Sequence, residues 1–114
     1  MGAVRALNVP RYEVTVQGRG IAVPLETSVA VGFVRLVQVR AADPVEAELR
    51  AVELVGSEWS SSAYALQNLA GLPRLTILRI GLLSWWHRLL GAPRGFIFFA
   101  EDGVLMSSGS RSER

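Results

Sequence analysis

Cysteine is absent from the 114 residues. That removes a disulfide framework, a thiolate metal site and a cysteine nucleophile together. Lysine is absent too: all 12 basic residues are arginine. Schiff-base chemistry and a phosphate-loop lysine go with it. Histidine occurs once, as His87. With no second imidazole and no carboxylate near it in the chain, it has neither metal-ligand spacing nor the partner a general base needs. No serine sits in a nucleophile-elbow glycine pattern. Gly18-Arg19-Gly20 is too short for a phosphate-cradling loop and lacks the helix that would follow one. The sequence therefore points to no enzyme, no cofactor and no metal.

Charge of one sign is also scarce. The net charge is only +2, and 10 carboxylates are interspersed with the arginines. The pI near 9.9 mostly reflects arginine standing where lysine would. Long hydrophobic runs are missing. The longest uncharged stretch, Trp59 to Pro73, is too short and too polar to span a bilayer. Met1 to Pro10 has no apolar core of signal-peptide type, and Ala6 stands where a myristoylation motif wants Ser or Thr. A cytoplasmic protein is expected.

What the chain does have is apolar surface. Half the residues are hydrophobic, and the mean hydropathy is +0.30. Wholesale disorder is excluded. The length suits one domain with one core. Residues 1–10 read as an N-terminal extension, 11–103 as the domain, and 104–114 as a disordered Ser/Gly/Arg tail.

Arg11 to Gln17 alternates, with Tyr12, Val14 and Val16 on one side and Glu13, Thr15 and Gln17 on the other. This is a half-buried strand. Gly18-Arg19-Gly20 then allows a tight hairpin or a bulge within one long strand that resumes at Ile21–Leu25. Pro24, which suits an edge strand, favours the bulge. Val31 to Ala41 forms a second strand with mixed faces. Asp43-Pro44-Val45-Glu46 is a helix start, with a capping aspartate, proline at the first helical position and a carboxylate three residues after the cap. The helix is expected to reach about Glu58. Its apolar stripe reads as Val45, Leu49, Val52 and Trp59, with Ala51 and Val55 alongside. Ala63 to Ala70 suits a short second helix. Leu75–Leu83 reads as a third strand, with Thr76, Leu78, Ile80 and Leu82 on one face and Leu75, Ile77 and Arg79 on the other. Ser84 opens one or two helical turns over Trp85–Leu90, and Gly95–Phe99 is the last strand.

The expected fold is thus α+β: a largely antiparallel four-stranded sheet in β-β-α-β-β order, with one main helix on one face. The middle β-α-β is a crossover. Strands 2, 3 and 4 carry apolar residues on both faces, and one helix covers one face. The second face should then present an apolar patch larger than soluble monomers usually expose. The 63–70 and 84–90 segments, a second copy or a different protein would cover it.

Interface candidates follow from that expectation. Trp85, Trp86 and Arg88 combine two indoles with a guanidinium, a composition over-represented at binding hot spots and also suited to a membrane surface. Phe96, Phe98 and Phe99 of the last strand, with Arg35 and Arg79, complete the set. Arg35, Arg40 and Arg79, together with Tyr12 and the phenylalanines, also suggest a single-stranded nucleic-acid platform. No basic residues interleave Phe96–Phe99, and the signature of an RNA-recognition motif is absent.

The run from Gly32 to Glu48, with Gly32-Phe33 leading a strand and Ala41-Ala42-Asp43-Pro44-Val45-Glu46-Ala47 opening the helix, resembles a motif of small uncharacterised bacterial α+β proteins. Gly95-Phe96-Ile97-Phe98-Phe99 with Glu101 is similar to their aromatic last strand. The resemblance spans about residues 11–102 and implies the fold. Val34-Arg35-Leu36 departs from the hydroxyl and aromatic residues usual there, and no catalytic residue carries across. The expected function is a non-enzymatic protein-binding module acting as a homodimer, for which an immunity or antitoxin-type role would fit. Single-stranded nucleic-acid binding through sheet arginines and aromatics is the alternative.

Overall fold

The computed structural model describes residues 9–82, 95–101 and 105–106. The elements are β1 (Arg11–Pro24), β2 (Val29–Arg40), α1 (Pro44–Ser61), α2 (Ala63–Gln67), β3 (Arg74–Leu82), β4 (Ile97–Phe99) and β5 (Leu105–Met106). The strands form one sheet in the order β3-β1-β2-β4-β5, and every neighbouring pair is antiparallel. The expected α+β fold, with its antiparallel sheet and one main helix, is what the chain adopts. β2 and β3 both run against β1, which lies between them, so α1 makes the crossover from one to the other. β5 is an addition: its two residues pair with β4, although the sequence reading assigned them to the tail.

β1 is one long strand, and the register of its pairing with β2 shifts between Arg19 and Val23. This is the bulge rather than the hairpin. Gly20 takes φ +93 there, a left-handed backbone that a Cβ would disfavour. The hairpin to β2 closes instead at Leu25, whose N–H donates to the Ser28 carbonyl at 2.8 Å. Where β1 runs past the end of β3, the loop after α2 completes its edge. Ala22 N–H donates to Asn68 Oδ1 at 2.8 Å, and Leu69 N–H donates to the Ala22 carbonyl at 2.8 Å.

α1 begins as its sequence dictates. Asp43 Oδ1 accepts from Glu46 N–H at 2.9 Å, and Glu46 Oε1 accepts from Ala42 N–H at 2.7 Å. The helix runs three residues past Glu58, to Ser61. Its buried stripe corrects the one read from the sequence. Ala47, Ala51, Val55 and Trp59 face the sheet, while Val45 and Leu49 are 68% and 64% exposed. Ala47 and Ala51 give that stripe little bulk at its start, and Trp59 closes it by stacking on Phe33. The larger Val45–Leu49–Val52 stripe is displaced to the helix flank.

The core lies between α1 and one face of the sheet. Tyr12, Val14 and Val16 of β1 meet Phe33 and Val37 of β2, with Phe96 and Phe98 beyond. Trp59 stacks on Phe33, ring centroids 5.1 Å apart, and Phe96 stands edge-on to Phe33 at 4.7 Å. Offset and edge-to-face aromatic pairs add to the burial term. The Phe33 ring lies over Gly18, its cross-strand partner, in the space that a Cβ there would occupy. Tyr64 of α2 packs edge-on to Phe98 at 4.8 Å, so α2 joins the helix side rather than covering the second face.

Candidate functional site

The second face of the sheet is polar over most of its area, which corrects the expectation of apolar residues on both sides. Two features produce this. On β1, Arg11, Glu13, Thr15, Gln17 and Arg19 alternate outward against the buried Tyr12, Val14 and Val16. On β3, the pairing with β1 changes register between Thr15 and Val16: Thr15 faces Arg79, while Val16 faces Ile77. Leu78 is the extra residue. A bulge of this kind reverses which side chains point inward. Leu75 and Ile77, and beyond the bulge Ile80 and Leu82, therefore share the helix face, while Arg74, Thr76 and Arg79 share the open one. Apart from Leu78 at the β3 bulge, 53% exposed, the large apolar residues on the open face lie at the β2–β4 end. Val34, Leu36 and Ile97 are half-buried there, and Phe99 is 5% exposed.

This face gathers five arginines, Arg11, Arg19, Arg40, Arg74 and Arg79, against one carboxylate, Glu13. Arg19, Arg40, Arg74 and Arg79 are exposed and Arg11 is half-buried. Two of the cross-strand partnerships place like charges opposite one another: Arg11 faces Arg40, and Arg19 faces Arg74. Such pairs destabilise a sheet. No described helix packs on this side. The α1 side has the reverse balance: Asp43, Glu46, Glu48, Glu53 and Glu58 accompany two arginines, Arg50 on the helix and Arg35, which reaches it from β2. The small net charge thus conceals a molecule with one basic face and one acidic face. Glu46 illustrates the acidic side: its carboxyl is held below its ordinary value of 4.5, first by the Ala42 N–H and then by Arg50.

The residues singled out from the sequence scatter across these two faces. Arg79 lies on the open face and is exposed. Arg35 does not join it. Its cross-strand partner is the inward-facing Val16, and its guanidinium pairs with Glu58 of α1 at 2.9 Å. Phe96 and Phe98 are core residues, 7% and 0% exposed, and so offer no surface in the single chain; their alternate positions aim at α1 because Phe98 pairs with inward-facing Phe33. Phe99 does reach the open face, but Arg19 covers it, with its guanidinium carbon 5.0 Å from the ring centre. Tyr12 is buried on the helix side. An aromatic stacking platform is therefore not formed by these residues. Trp85, Trp86, His87 and Arg88 lie outside the described residues. Arg11, Arg19 and Arg74 were not singled out from the sequence, although the alternation of β1 carried through to Arg19 would have placed two of them.

A second surface lies at the flank of α1. Val45, Leu49 and Val52 follow the same helix stripe as Gly56, where a Cβ would sit 3.7 Å from Leu75 Cδ1. At its Gly56 end the stripe meets β3, an outer strand of the sheet among the described residues. Leu82, at the end of β3 on the helix face, is 68% exposed. Three further leucines are exposed: Leu66 on α2, and Leu69 and Leu72 on the α2–β3 connection.

Among the described residues, no group of three or more His, Asp or Glu side chains is placed to hold a metal ion. No described helix is long and apolar enough to cross a membrane. No family model, no curated protein and no solved structure matches the chain.

Proposed function

We propose that the chain is a non-enzymatic protein-binding module that acts as a homodimer. The carrying observation is the set of large aliphatic side chains left exposed on α1 and at the end of β3: Val45, Leu49 and Leu82 are each about two-thirds exposed. The expected patch on the second sheet face plays no part in this reading. Exposed large aliphatic side chains on a small domain are what association buries. They can pack against their own copies about a two-fold axis, apolar residues meeting apolar residues. The bulge at Leu78 interrupts regular hydrogen bonding along the outer edge of β3, so side-chain packing rather than an extended sheet carries the contact.

Size-exclusion chromatography with light scattering at micromolar concentration tests the reading. The expected mass is twice the 12.4 kDa of the chain. Leu49→Glu with Leu82→Glu should give the single-chain mass with an unchanged far-ultraviolet spectrum. A wild-type species at the single-chain mass overturns the homodimer.

A further inference from the structure

We propose that the open face of the sheet binds an extended polyanion, a single strand of nucleic acid, through its phosphates. The argument begins with spacing. Arg11 pairs with Arg40, Thr15 with Arg79, and Arg19 with Arg74. Arginines therefore stand at three levels along β1, four residues apart. At about 3.3 Å per residue the levels are ~13 Å from one another, and the outer two are ~26 Å apart. A regular row of positive charge suits a polymer whose negative charge repeats at a fixed interval, and the length falls within the range of roughly 4 to 16 nucleotides taken by single sheet-based modules.

The second argument is electrostatic cost. Arg11 opposite Arg40 and Arg19 opposite Arg74 repel one another in the free protein. A phosphate placed between two guanidiniums turns that repulsion into two attractions, and guanidinium offers paired donors to phosphate oxygens. The groups between the arginines are the neutral hydrogen-bonding side chains Thr15, Gln17, Gln38 and Thr76 and one carboxylate, Glu13, so the five arginines leave the face strongly positive. The acidic α1 side opposes binding from the other direction, so the molecule would present one face to the strand.

The same geometry fixes the kind of recognition. Tyr12, Phe96 and Phe98 face the core and Phe99 lies under Arg19, so these rings present no free face on which bases could stack. Contacts to the backbone carry no sequence information, and binding should be insensitive to base order. An anionic membrane is the less suited ligand, because Leu78 is the one exposed large aliphatic side chain among the arginines of this face.

Fluorescence anisotropy of a labelled oligo(dT) strand of about sixteen nucleotides tests the proposal on the full chain. Binding is expected at 50 mM salt, falling about a hundredfold by 200 mM if all five arginines meet phosphates. Arg40→Gln with Arg74→Gln, one from each like-charge pair, should weaken binding at least tenfold and flatten the salt dependence. Its melting temperature should be equal to or above that of wild type. Arg50→Gln, on the α1 side, should bind as wild type does. Absence of an anisotropy change at 50 mM salt overturns the proposal, as does a double variant that binds like wild type. Binding to phosphatidylglycerol vesicles or to polyglutamate without binding to the oligonucleotide also overturns it, making the ligand a lipid surface or an acidic protein. The homodimer reading is judged separately, by the mass measured without any nucleic acid.

Discussion

Arg35 of β2 and Glu58 of α1 form a two-point ion pair across the layers: Nε donates to Oε1 at 2.9 Å and Nη2 to Oε2 at 3.1 Å. It is the one described ion pair that ties the helix to the sheet; the other, Glu46–Arg50, lies within α1. Arg35 sits in an otherwise apolar inward row, and its side chain is only 15% exposed while that of Glu58 is 35% exposed. Solvent reaches the pair and screens it. Arg35→Ala and Glu58→Ala should each lower unfolding stability by about 1 kcal/mol or slightly more. A double-mutant cycle in urea should return a coupling near 1 kcal/mol. Strictly additive losses would show that the two side chains are not energetically paired.

The Phe33 ring occupies the space above Gly18. A Cβ at Gly18 would overlap the ring, and Phe33 is itself fixed between Trp59 and Phe96. Gly18→Val should cost about 2 to 3 kcal/mol through overpacking. Phe33→Leu in the same chain should recover part of that loss by removing the ring. The denaturant midpoints of wild type and the two variants check this. A Gly18→Val protein as stable as wild type would mean that the ring has another place to go.

The pH dependence at the start of α1 has a definite sign. The Glu46 carboxyl is depressed in the folded chain, chiefly because Ala42 N–H donates to it and secondarily because Arg50 does. A depressed carboxyl stabilises the fold at pH above its ordinary value of 4.5. That contribution is lost as the pH falls through the lower folded value. Glu46→Gln should therefore melt below wild type at pH 7, with the gap closing as the pH drops below 4.5. Asp43→Ala, which removes the cap itself, should cost about 1 kcal/mol at neutral pH. A Glu46→Gln gap that persists unchanged into the acid range would assign the loss to something other than charge.

The inner and outer stripes of α1 can be separated by substitution. Ala51 is fully buried against the sheet, whereas Leu66 on α2 is 89% exposed. Ala51→Leu should destabilise by about 1 to 3 kcal/mol, since the helix must lift from the strands to admit the longer side chain. Leu66→Ser should move stability by no more than about 0.5 kcal/mol. Equal effects at the two positions would place the helix in a different rotation.

Much of the architecture was legible in the chain because it is local. The Asp43-Pro44-Val45-Glu46 start, the alternation of Arg11–Gln17 and the glycines around Arg19 specify a helix end, a strand and a bulge within a few residues each. Capping, side-chain period and glycine backbone freedom all act at that range. What the chain could not declare was which of two apolar stripes on α1 turns inward. Helical periodicity permits both, and packing against the sheet selects the one of Ala47, Ala51, Val55 and Trp59. Nor could it declare the bulge at Leu78, since the alternation from Leu75 to Leu82 reads equally well without one. That single extra residue swaps the faces of half a strand. It brings Arg74 and Arg79 beside Arg11, Arg19 and Arg40, and so turns an expected greasy surface into a basic one. Pairing across strands is a long-range relation, and only the assembled sheet brings its two sides into register.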